Sequence, residues 1–81
     1  MATVLKIDGY LIQIFSRDHL PRHVHVFKGG GECVINLVGE NDYPELREFY
    51  GLKRKELAKA IKLVVKHQEE LLDAWNKIHG E

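Results

Sequence analysis

One cysteine, two prolines and one tryptophan stand among 81 residues. A lone Cys33 closes no internal disulfide, so the chain is not one of the small secreted scaffolds that replace a core with cross-links. No apolar run approaches the ~20 residues a membrane-spanning helix needs. The stretch from Met1 to Lys6 has neither the cationic start nor the apolar centre of a secretory leader. Twelve basic residues balance twelve acidic ones, which excludes a global field steering the molecule toward nucleic acid or membrane. Neutrality also leaves copies little mutual repulsion, so a homo-oligomer or a partner protein is expected. Together these absences predict a cytoplasmic protein in a reducing compartment. There is no P-loop, no G-x-G-x-x-G, no G-x-S-x-G and no H-E-x-x-H, and no cofactor is expected.

What is present describes a folded chain. Its 44% hydrophobic and 30% charged residues exclude a disordered composition. The length suits one domain, residues 1–81, with a modest core. Thr3 to Ile7 and Tyr10 to Phe15 flank Asp8-Gly9, the residue pair favoured where a hairpin turn needs positive φ at both central positions. Tyr10, Ile12 and Ile14 share one face of the second strand, and Leu11, Gln13 and Phe15 the other; two largely apolar faces predict an interior strand. Ser16 to Arg22 reads as a loop. His23 to Lys28 and Glu32 to Val38 read as third and fourth strands around Gly29-Gly30-Gly31, the last with Cys33, Ile35 and Leu37 on one face.

Pro44 predicts a short helical turn through Glu45, Leu46 and Phe49, with Gly51 beyond its end. From Lys53 to Ile78 the period becomes helical. Leu57, Ile61, Val64, Leu71, Trp75 and Ile78 form one stripe, interrupted only by Gln68, and Gly80 closes it. The expected fold is α+β: a four-stranded antiparallel β-meander packed against one long C-terminal α-helix. Such a helix is roughly 40 Å long and would overhang a four-stranded sheet, which is a second reason to expect a partner or a second copy.

The densest chemistry lies in Asp18-His19-Leu20-Pro21-Arg22-His23-Val24-His25-Val26. His23 and His25 are two apart on a strand, so both rings leave the same face, opposite Val24 and Val26. Imidazoles titrate near neutral pH, bind metals and shuttle protons. Three uses fit these residues. The rings can be structural, capping loop carbonyls and stacking on Tyr10 or Phe27. His23 or His25, with Asp18 or His19 beside them, can act as acid and base in a small metal-independent nuclease. They can also hold a divalent metal, through His-x-His with Asp18 as third ligand, or through His19, His23 and His25. The candidate anion-binding residues are Arg22 and the basic turn Lys53-Arg54-Lys55, whose helix N-terminus offers free N–H donors; Lys28 would extend that patch if it lies nearby. A solvated surface turn is the plainer reading of the same lysines. Trp75 reads as core, His67 and His79 as solvated or helix-capping, and Cys33 as a small buried hydrophobe.

The order of these segments resembles a known family. Ile7-Asp8-Gly9-Tyr10, the run from Ser16 to Val26, and Gln68-Glu69-Glu70-Leu71-Leu72-Asp73-Ala74-Trp75-Asn76 are similar to the small bacterial DUF4160 family across almost the whole chain. Family members often carry a second proline where Arg22 stands. The resemblance implies no catalytic residues, because the family's function is unassigned. It implies a setting: such proteins are often encoded beside a DUF2442 protein, as a pair resembling a toxin–antitoxin module. An interaction protein that binds that partner, with RNA or translation as a target, is the function the resemblance implies.

Overall fold

The computed structural model describes residues 2–80, with the backbone alone at 2, 3 and 40; Met1 and Glu81, the ends of the expected domain, lie outside the described residues. Five antiparallel strands follow in chain order: β1 (Ala2–Ile7), β2 (Tyr10–Ile14), β3 (His23–Lys28), β4 (Gly31–Asn36) and β5 (Glu45–Tyr50). They pair in the order β1-β2-β3-β4-β5. Asp8 and Gly9 carry φ of 52° and 81°, the positive pair that the tight β1–β2 hairpin requires. The β3–β4 reversal pairs Lys28 with Gly31. Gly31 is needed for closeness rather than for its own φ: a Cβ there would lie 2.3 Å from the Gly51 carbonyl oxygen.

The fifth strand corrects the expected helical turn after Pro44. Glu45, Leu46 and Arg47 are helix formers by local propensity, but β4 is a core strand with an edge to satisfy. Pairing along that edge outweighs propensity. Asn41 and Asp42, both at positive φ, turn the chain so that Leu46 lies opposite Ile35 and Phe49 opposite Cys33. Pro44 stands just before the strand, where it withholds no ladder hydrogen bond. Between Val34 and Ile35 the register shifts: Val34 faces Glu48, Ile35 faces Leu46, and Arg47 is the extra residue of a bulge.

The helical stripe is also corrected, from one helix to two: α1 (Arg54–Lys66) and α2 (Gln68–His79). They meet at His67, whose ψ of 20° bends the axis. Hydrogen bonding runs through the bend, since His67 N–H donates to Leu63 O and Leu71 N–H to His67 O. Gln68, the one polar residue in the stripe, sits at this corner and donates to Leu37 O at 2.7 Å and Asp42 O at 2.8 Å. The bend keeps every apolar member of the stripe on the core. Val64, Leu71 and Trp75 are buried, and Leu57, Ile61 and Ile78 pack against them. The surplus helix length expected from the sequence is therefore used within the molecule.

The core lies between the helices and one sheet face: Ile12 and Ile14, Val24 and Val26, and Cys33, Ile35 and Leu37, each at most 1% exposed. Gly80, at φ 72°, ends α2. At the start of α1, Lys53 N–H donates to Glu56 Oε1, and Tyr10 Oη donates to Glu56 O from the sheet. Among the described residues, no helix is long and apolar enough to cross a membrane.

Candidate functional site

Because Val24 and Val26 are committed to the core, strand alternation sends His23 and His25 to the other face. Their ring centroids are 5.2 Å apart. Aromatic rings wall them in. Phe15 meets His25 edge-on at 4.5 Å, Phe27 stacks on it at 6.5 Å, and Trp75 lies 5.4 Å from His23. Trp75, buried as expected, therefore borders the histidines as well as filling the core.

The loop before β3 delivers Asp18. Its N–H donates to Phe15 O, and its Oδ2 accepts the Phe15 N–H at 3.1 Å, so the side chain folds residues 15–18 into a local turn. The same Oδ2 lies 3.4 Å from His23 Nε2 and 3.4 Å from His25 Nε2.

The opposite nitrogen of each ring is held by an oxygen. His23 Nδ1 is 2.8 Å from Pro21 O, a carbonyl that can only accept, so Nδ1 carries the proton. His25 Nδ1 is 3.0 Å from Glu32 Oε2, and Glu32 Oε1 accepts in turn from Tyr50 Oη at 3.1 Å. That bond, and the charge of Glu32, raise the Tyr50 pKa. With both Nδ1 positions protonated, a neutral pair presents two Nε2 lone pairs to one carboxylate oxygen. His25 Nε2 is buried with no hydrogen-bond partner.

A charge-assisted hydrogen bond would bring these atoms to about 2.7–2.9 Å. Two ligands sharing a tetrahedral ion with bonds of about 2.1 Å instead sit about 3.4 Å apart. One ligand atom from each of Asp18, His23 and His25 falls within 4.8 Å of the others. A carbonyl or carboxylate on the far ring nitrogen is also the usual outer support of a metal-binding histidine. The group is partly buried: the side chains of Asp18, His23 and His25 are 15%, 6% and 16% exposed.

The other sequence candidates lie elsewhere. His19 is exposed and outside the trio. Lys53, Arg54 and Lys55 are exposed at the start of α1. That helix end adjoins Tyr10 through Glu56, and Lys28 Nζ lies 5.2 Å from the Tyr10 ring. Lys28 thus lies at the Tyr10 end of the sheet, roughly 16 Å along β3 from His23 at about 3.3 Å per residue. Arg22 stays at the histidine end of β3 and Lys28 at the other. Part of the anion-binding capacity of the basic turn is taken, since Glu56 already caps the Lys53 N–H.

The sequence model of the family described as Domain of unknown function (DUF4160) matches residues 9–76, which include the hairpin glycine, the whole histidine segment and Trp75. The chain belongs to the DUF4160 family. No curated protein and no solved structure matches it.

Two residues of this DUF4160 site were not singled out from sequence. Glu32 had a readable signal. Pairing Lys28 with Gly31 across a two-residue turn sets Glu32 opposite Phe27 and diagonal to His25, within reach of a long side chain. Arg47 had none, because it falls in the segment read as helical. The β5 bulge turns it toward the histidines, with Nε donating to Asn36 Oδ1 at 3.0 Å and Nη2 3.5 Å from His23 Nδ1. Bulges beside functional sites commonly redirect a side chain in this way.

Proposed function

We propose that this DUF4160 domain is a metal-binding module: it holds one divalent first-row transition ion on Asp18 Oδ2, His23 Nε2 and His25 Nε2 and leaves a coordination position open for a ligand. Two imidazoles and a carboxylate suit zinc or iron, and three protein ligands are the pattern of reactive rather than closed structural sites. The observation that carries the reading is the convergence of the two Nε2 atoms on Asp18 Oδ2 at 3.4 Å, with both Nδ1 protons already committed to fixed oxygens. Bound metal would supply Lewis acidity. Asp18, His23 and His25 orient it, and Phe15, Phe27 and Trp75 limit water around it. Titration with Zn2+ and Co2+ tests this. The expected result is one ion per chain and a rise in melting temperature, both lost in Asp18→Asn and His25→Ala. At 100 times its Kd the ion would add about 2.7 kcal/mol. A folded wild type that binds neither ion, or an Asp18→Asn variant that binds as well as wild type, would refute the metal centre.

A second reading, the partner-binding half of a toxin–antitoxin-type pair in the cytoplasm, is favoured by β5. It ends the sheet, and Phe49 and Tyr50 on it are 51% and 63% exposed. An open edge carrying aromatics suits the addition of a partner strand, here from a DUF2442-type protein. Phe49→Lys should abolish co-purification of the two proteins, and an intact complex would count against this edge.

A further inference from the structure

Among the described residues, Arg47 forms no ion pair with a carboxylate. Its hydrogen-bond partner is the neutral Asn36 amide, its Nη2 lies 3.5 Å from His23 Nδ1, and no carboxylate among the described residues lies within 4 Å of it. His23 Nδ1 gives its proton to Pro21 O, so the 3.5 Å approach of Arg47 Nη2 is a close contact rather than a hydrogen bond. Arg47 is an exposed residue, and its five N–H groups leave donors for a ligand beyond the one given to Asn36. An unpaired cation beside a metal ligand would normally weaken metal binding, unless an anion completes the set.

With the metal proposed above in place, Asp18 and Glu32 balance a divalent ion, and Arg47 stands at the edge of the centre with no carboxylate among the described residues within 4 Å. We infer that Arg47 is the anion-binding arm of the metal centre, and that its ligand is a terminal phosphoryl group: inorganic phosphate or a phosphate monoester. This inference rests on the metal reading. Across the His23 ring, Arg47 Nη2 and an ion on Nε2 are separated by at most about 8 Å, given metal–nitrogen bonds of about 2.1 Å. One oxyanion bridges the two once they stand within about 7 Å, with an oxygen on the metal at about 2.1 Å and others on the guanidinium fork at about 2.8 Å. A carboxylate docked on the fork uses both its oxygens there, and a phosphodiester has only two unbridged oxygens. A terminal phosphoryl group has three and keeps one for the metal. The arginine fork, rather than a point charge, is what makes this geometry selective.

Calorimetric titration of the Co2+-loaded protein with inorganic phosphate, followed also by the visible Co2+ spectrum, tests the inference. Acetate and dimethyl phosphate are the comparison probes. Phosphate is expected to bind the loaded protein and not the metal-free one, to shift the Co2+ bands, and to outcompete both comparison anions. Arg47→Ala should retain Co2+ affinity and weaken phosphate about ten-fold or more, the loss of a charged hydrogen-bonding pair. Arg47→Lys should fall between. Normal Co2+ binding with phosphate affinity unchanged in Arg47→Ala overturns the role of Arg47 and leaves the metal centre standing. Acetate or dimethyl phosphate binding as well as phosphate overturns the ligand class. Failure of Co2+ and Zn2+ to bind at all overturns the metal centre and this inference together.

Discussion

Gln68 offers a test in which the sequence pattern and the structure predict opposite signs. By periodicity, Gln68→Leu completes the apolar stripe from Leu57 to Ile78 and should stabilise the protein. In the structure the same change removes both hydrogen bonds from the Gln68 amide, to Leu37 O and Asp42 O. Asp42 is exposed, so water replaces the lost donor there at little cost. Leu37 is wholly buried, and an orphaned carbonyl at that depth costs about 1–3 kcal/mol. Partial burial of the new leucine returns up to about 1 kcal/mol. Taking the middle of each range, the net loss is about 1.5 kcal/mol, a melting-temperature drop of roughly 6–12 °C for a domain of this size. Thermal unfolding followed by circular dichroism measures it. Gln68→Glu should fare at least as badly, because a carboxylate offers no donor to the two carbonyls. A Gln68→Leu protein that melts at or above the wild-type temperature would show that the corner is not held by this amide.

Gly31→Ala should be among the most damaging single-methyl changes, since the new Cβ meets the Gly51 backbone; at Gly30, where a Cβ meets nothing, alanine should cost little, and equal melting temperatures for the two variants would refute the close approach. Burial pushes the Cys33 thiol up to about 11 from an ordinary 9.0, and burial followed by the charge of Glu56 raises Tyr10. The folded state therefore holds these protons more tightly than the unfolded chain. The resulting stability is fully present below pH 9 and falls as pH rises through 11. Denaturant titrations across pH 8–11 should show that decline, and Cys33 should react with a thiol reagent at pH 8 only once the chain unfolds; rapid labelling of native protein would contradict the burial.

The histidine site divides along a similar line. Alternation placed His23 and His25 on one face because Val24 and Val26 had to be buried, a local rule with period two. That Asp18, and not His19, meets them depends on how residues 15–18 fold back on Phe15, and either neighbour fits the loop by sequence alone. Glu32 was within reach of hairpin arithmetic. Arg47 was not, because a bulge breaks the alternation that such arithmetic needs.

For the fold, the residues by themselves determined the Asp8-Gly9 hairpin, the inner faces of β2 to β4, the helical character of the last third of the chain and its stop at Gly80. Each is a local preference or a short-period pattern, complete within a few residues of chain. Only the tertiary structure decided that residues 45–50 form a strand and that the helix bends at His67. Both depend on partners distant in sequence: the free edge of β4, which competes with helix propensity, and the segment of residues 37–42 against which the helix turns its corner. The carbonyl oxygens of Leu37 and Asp42 are what give the single polar residue of the stripe its place at that corner.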